Sequence, residues 1–310
     1  MLILINSVLL LILFVALGWL AELTVNHIKR LGAILKIRLF VFGLLLGIIT
    51  SLPELSLGIN ATINQVAPLS VGNIIGGVMV MLGLILGVSI LLNRKIKTDG
   101  RLAGVIPALL VTMTPIFFGL NGYYGATDGL IMIGLYLGLV AYLYRLNRLD
   151  HQTSLHTAIS DRPGQSIILA ISGTIGILIV SHYIVVITVQ LLEYITISKL
   201  TMGLIVFSLG TNLPEISIAL TSWRKKSSEL SLSHLLSSSF TNTLILGVLA
   251  FLRPINFNID ATYWLTAIFM ALVLICFAWF YKSHKKMDRR EGLVLLALYI
   301  LFVVINFLFE

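Results

Sequence analysis

The segment Thr50-Ser51-Leu52-Pro53-Glu54-Leu55-Ser56 returns 161 positions later as Thr211-Asn212-Leu213-Pro214-Glu215-Ile216-Ser217. Each copy places a carboxylate inside an apolar run long enough to cross a bilayer. A lone carboxylate at membrane depth costs about 2.5–3.5 kcal/mol on insertion scales, so its position points to function. Thr50 and Thr211 precede the glutamates by four residues, and Ser51 and Asn212 by three, which puts them on the same helical face. Pro53 and Pro214 lack an amide hydrogen and clash with the preceding turn. That predicts kinks and freed carbonyls near Ile49 and Gly210, and a cation is one partner for a free carbonyl inside a membrane. Carboxylates, hydroxyls, an amide and carbonyls are hard oxygen ligands, suited to Ca2+ or Na+ rather than soft metals. Two carboxylates in equivalent places of two half-chains predict one shared cation site.

The repeat continues at the same offset. Ser70 to Met81 aligns with Ser231 to Asn242. Both stretches open the next helix with small residues, which let helices approach closely. Ser238 and Asn242 are one turn apart and can face the site together. Gly72, Gly76 and Gly77 read as packing positions, and Asn73 serves equally well as a packing hydrogen bonder or a ligand. His182 reads as an ordinary interior histidine, although a histidine near a span can relay protons. His151 and His156, with Asp150 and Asp161, read as a solvated loop.

The elements that position these residues follow from composition. Of 310 residues, 58% are hydrophobic and only 11% charged, against about a quarter charged in a soluble domain. This predicts an all-α polytopic membrane protein. The single Cys276 excludes an intrachain disulfide framework. At about 20 apolar residues per crossing, ten transmembrane helices are expected, near 2–20, 39–62, 70–92, 102–120, 125–144, 166–189, 199–222, 230–251, 262–281 and 292–309. Residues 1–20 read as a retained first helix rather than a cleaved leader. With ten spans, 19 of the 21 Lys and Arg fall on one side, leaving only Lys199 and Arg253 on the other. The basic loops are therefore expected in the cytoplasm and both termini outside. The formal charge of +8 is topological and does not call for nucleic acid. Trp19, Trp223, Trp264 and Trp279 are expected near span ends. Residues 1–145 and 166–310 each hold five spans, with 146–165 as a cytoplasmic linker. Five is odd, so the second half enters the membrane inverted, as in secondary transporters that bind substrate near the midplane.

At this point the chain resembles the cation/Ca2+ exchanger superfamily, and most of all its prokaryotic Na+/Ca2+ exchanger branch. Members have ten helices in two inverted five-helix repeats, each with a motif G-T-S-x-P-E followed by G-N-x-x-G-S-N-x-x-N/D. Here the first motif reads Ile49-Thr50-Ser51-Leu52-Pro53-Glu54, then Gly72 to Gly76, within about 43–87. The second reads Gly210-Thr211-Asn212-Leu213-Pro214-Glu215, then Ser233 to Asn242, within about 204–248. The resemblance implies Glu54 and Glu215 as central ligands for Ca2+ and Na+, with Thr50 and Thr211 supporting Ca2+. It implies flanking Na+ sites at Ser51, Asn212 and Ser238, and it places Asn242 where the family has Asp or Asn. Gly77 replaces the family serine and Met81 the family asparagine, so the first repeat loses two side-chain ligands. Gly76-Gly77 is expected to leave space for water or backbone coordination.

The leading expectation is a secondary antiporter exchanging Ca2+ for Na+ by alternating access. The missing ligands motivate an alternative, a proton-coupled divalent cation exchanger on the same fold, because a carboxyl can also carry a proton. A passive cation channel is a third reading. No H-E-x-x-H or G-x-x-x-x-G-K-[ST] motif occurs, so neither a zinc protease nor an ATP-driven pump is expected. The expected partners are inorganic cations and the lipid bilayer, with no nucleotide, nucleic acid or cofactor.

Overall fold

The computed structural model describes residues 2–34, 48–147, 163–194, 197–224 and 228–309. The loop residues Lys36, Arg38, Arg148, Arg162, Lys225 and Lys226, most of the 146–165 linker with its histidines, and 39–47 of the second expected span lie outside them.

Among the described residues, eleven helices of ten residues or more carry the fold. They are α1 (Leu2–Ile34), α2 (Leu52–Ile63), α3 (Ala67–Asn93), α4 (Leu102–Phe118), α5 (Ala126–Asn147), α6 (Pro163–Leu192), α7 (Lys199–Thr211), α8 (Leu213–Arg224), α9 (Ser228–Leu252), α10 (Ala261–Lys282) and α11 (Arg289–Leu308). The first helix runs on to Ile34 rather than stopping near residue 20, which leaves Trp19 in mid-helix, exposed on the outer surface. Among the described residues, eight helices are long and apolar enough to cross a membrane.

The two expected spans near 39–62 and 199–222 are not continuous helices. Helical geometry breaks at Ser51 (φ −91°, ψ 11°) and at Asn212 (φ −86°, ψ 13°). Proline at the start of α2 and of α8 explains why the chain restarts there. It has no amide hydrogen to lose at a helix N-terminus, and its fixed φ suits the first turn. The restarted helices bond back to the break, Leu55 N to Ser51 O at 3.1 Å and Ile216 N to Asn212 O at 3.0 Å.

Helix bounds recur at the same offset as the motifs. An offset of 161 carries α2 onto α8 at both ends, and the starts of α1 and α3 onto those of α6 and α9. α1 packs lengthwise on α6, joined by Leu10, Phe14 and Leu17 with Ile177 and Ile184. α3 is the most enclosed of the eight spans. It crosses α7 where Gly72 meets Gly203. A Cβ on Gly72 would lie 2.2 Å from Leu200 O, so only glycine permits this approach.

Two short antiparallel ribbons tie the halves together. β1 (Lys95–Lys97) pairs with β4 (Lys286–Asp288), and β2 (Tyr123–Tyr124) pairs with β3 (Ile255–Asn256). Asp260 caps α10 by accepting from Tyr263 N, and Asp288 caps α11 in a capping box with Glu291. Asp128 accepts from Gly125 N. Asp128 and Asp260 thus hold helix starts.

Candidate cation site

The two helix breaks face each other across the protein interior. Thr50, Ser51 and Glu54 from one, and Thr211, Asn212 and Glu215 from the other, are all buried. Each glutamate is the third residue of a restarted helix, where the positive end of the helix dipole favours a carboxylate. The contacts cross between the halves: Thr211 lies beside Glu54, and Thr50 beside Glu215. Glu54 lies close enough to Glu215 to feel its charge directly.

α9 and α3 close the shell. Ser238 Oγ is 3.5 Å from Thr50 Oγ1, and Asn242 Nδ2 donates to Ile74 O at 2.9 Å. Asn212 Nδ2 donates to Ser208 O at 2.8 Å. All eight residues expected from the sequence thus converge on one region. So does Asn73, which sequence reasoning left undecided: Thr211 Oγ1 donates to Asn73 Oδ1 at 3.1 Å.

The chemistry of what is left over is informative. Glu54 Oε2, Glu215 Oε2, Asn212 Oδ1 and Asn242 Oδ1 are buried oxygens with no hydrogen-bond partner. An unsatisfied buried acceptor costs about 1–3 kcal/mol and more when charged, so four together call for a positive partner. Among the described residues no three His, Cys, Asp or Glu side chains converge. The donor set is two carboxylates with neutral oxygens, which fits a hard cation and not a soft one.

The space expected at Gly76-Gly77 is not there. A Cβ on Gly76 would lie 2.2 Å from Leu204 O, and one on Gly77 would lie 2.9 Å from Asn242 Nδ2 and 3.3 Å from Asn212 Nδ2. Gly76 is filled by the backbone of α7, and Gly77 makes room for two amides. Met81 is buried and takes a weak contact from Ser239 Oγ at 3.9 Å, so no oxygen ligand comes from that position.

Prolines elsewhere show what a satisfied kink looks like. Pro115 frees Val111 O in α4, and two hydroxyls cover it, Thr114 Oγ1 at 2.7 Å and Thr243 Oγ1 at 2.9 Å. His182 is not a site residue. It sits at the protein surface, its Nδ1 3.2 Å from Asn60 Oδ1.

The chain is 24% identical over 322 residues to the sodium/calcium exchanger MaX1 of Methanosarcina acetivorans, covering 90% of this chain and 91% of that protein. Its fold matches the sodium-calcium exchanger NCX_Mj with a TM-score of 0.66 at 21% identity, over 97% of this chain and 99% of that one. It matches the H+/Ca2+ exchanger CAX with a TM-score of 0.76 at 14% identity, over 98% and 87%. The pattern of the family described as sodium/calcium exchanger protein matches residues 5–145 and again 165–308. The chain belongs to the sodium/calcium exchanger protein family.

Proposed function

We propose that the protein is a secondary antiporter exchanging Ca2+ for Na+ by alternating access, with the ions bound between the two helix breaks. The observation that carries this reading is the pair of buried glutamates, each with one oxygen unpartnered. Ionised, they make a site of charge −2, which one divalent or two monovalent cations balance. Competition for the same two charges couples the ions. Glu54 and Glu215 are the central ligands, Thr50 and Thr211 support Ca2+, and Ser51, Asn212, Ser238 and Asn242 line the flanks. The carbonyls of Ile49 and Gly210 add to the oxygen set.

The architecture in this reading is ten crossings in two inverted repeats, residues 1–145 and 166–310. Strand pairing supports the count. The β1·β4 and β2·β3 ribbons can each form on one face only if an even number of crossings separates the paired strands. That holds when α7 and α8 together make one crossing. The ribbons also differ in charge. Lys95, Lys97 and Lys286 gather on one, whereas Tyr123, Tyr124, Ile255 and Asn256 make the other. This favours the basic ribbon in the cytoplasm and both termini outside.

The test is 45Ca uptake into proteoliposomes carrying an outward Na+ gradient. Glu54→Gln and Glu215→Gln are each expected to abolish it, and normal uptake in both variants would sink the reading. Gly77 and Met81 favour a second reading, in which protons rather than Na+ drive exchange. Uptake driven by a pH gradient in Na+-free buffer supports that alternative, and complete Na+ dependence excludes it.

A further inference from the structure

We propose that Asn73 is a positioning residue for cation binding, which takes the hydroxyl hydrogen of Thr211 so that the threonine oxygen faces the ion. The inference rests on the proposed cation site and adds a residue to it. Thr211 has one hydrogen and two acceptors beside it, Asn73 Oδ1 at 3.1 Å and the Glu54 carboxyl group. A hydroxyl that donates to Glu54 turns its hydrogen toward the ion site and occupies a carboxylate lone pair. A hydroxyl that donates to Asn73 leaves both oxygens for the cation. A cation held between Glu54 and Thr211 therefore selects the second arrangement, and Asn73 must present its oxygen to Thr211 for it to exist. An amide turned the other way would donate to Thr211 and drive the hydrogen back onto Glu54.

Asn73 is fully buried, and its leftover Nδ2 has no partner. That leftover group is a donor that no cation would take, and the amide oxygen faces Thr211, so the proposed role runs through Thr211. The placement is built in. Gly72 and Gly203 bring α3 and α7 into backbone contact, with a Cβ on Gly203 only 2.9 Å from Asn73 N. The equivalent position of the second repeat is His234, 161 residues on, whose neutral imidazole can also accept a hydroxyl hydrogen. Partners behind a ligand, when removed, typically weaken metal affinity 10–100-fold.

The test is equilibrium 45Ca binding to the detergent-solubilised full chain in Na+-free buffer. Asn73→Leu is expected to weaken binding 10–100-fold, and Asn73→His to restore it to within about threefold of wild type. In combination with Thr211→Val, Asn73→Leu is expected to add nothing, because the hydroxyl through which Asn73 acts is gone. Wild-type affinity in Asn73→Leu, an additive loss with Thr211→Val, or no rescue by Asn73→His overturns the proposal and leaves Asn73 as packing. If Asn73→Leu does not fold, Asn73→Ala carries the same cycle. Absence of Ca2+ binding in the wild type overturns the calcium site itself, and this inference with it.

Discussion

The two ends of the site are built from one repeated pattern and packed differently. On the side of the neutral ribbon, α2 lies tight against α9. A Cβ on Gly58 would come 2.4 Å from Leu249 Cδ1 and 2.8 Å from Ser70 Oγ. Ser56 Oγ meets Ser181 Oγ at 2.5 Å, Asn60 meets His182, and Arg253 reaches Thr62 O at 3.4 Å. On the side of the basic ribbon, the equivalent helices α8 and α3 also touch, with Ala219 buried in the same cluster as Ile85. A cavity of about 210 Å3 lies between them, lined by Ile85, Val88, Ser89, Ile216, Ala219 and Leu220. Ala219 is the counterpart of Gly58, and Ser89 of Ala250. Leu20 and Ala21 stand where the neutral-ribbon side has Ser181 and His182. The repeat thus supplies equal charges at the centre and unequal packing at the two ends.

The comparison can be broken most forcefully at the centre. If the halves are equal in charge, Glu54→Gln and Glu215→Gln each lower 45Ca uptake at least about 100-fold, the loss of one of two essential charges. A large difference between them would end the equality. At the ends, inequality is expected. Gly58→Leu overpacks the contact with Leu249 and costs about 1–3 kcal/mol, read as a fall in thermal unfolding temperature. Ala219→Leu grows toward the cavity and is expected to lower the unfolding temperature less than Gly58→Leu does. Accessibility gives a direct measure. With Cys276 replaced by Ala, Ser89→Cys is expected to react with a membrane-impermeant thiol reagent about tenfold faster than Ala250→Cys. The reverse ratio would show the α2–α9 side to be the more accessible one. The smallest effect concerns the shell. Met81→Asn restores an oxygen ligand missing from the first half and is expected to raise apparent Na+ affinity about twofold to fivefold, measured from the Na+ dependence of 45Ca release.

Much of this was legible in the residues. The two Pro-Glu motifs, their offset of 161 and the small residues after them placed all eight candidate ligands, which the fold brings together. The helix breaks were readable in kind, since proline signals them, but not in position. They fall at Ser51 and Asn212 because proline suits the first turn of a new helix better than the middle of an old one. The reach of α1 to Ile34 was missed because Lys29 and Arg30 read as loop, although charged residues extend a helix beyond the hydrocarbon without penalty. Asn73 was ambiguous for a simpler reason. A buried carboxamide looks the same in sequence whether it packs or ligates, and only the structure brings it within 3.1 Å of Thr211 Oγ1.

The sequence by itself determined that the chain lies in a membrane, that its motif occurs twice and that each copy buries one acid. These follow from composition and periodicity, which are local properties. Only the tertiary structure decided that each threonine lies beside the other half's glutamate, that Gly77 yields its place to two amides, and that a cavity lies between α3 and α8. Each of these depends on side chains far apart in the chain meeting in close-packed space, where a single methyl group decides whether two helices touch.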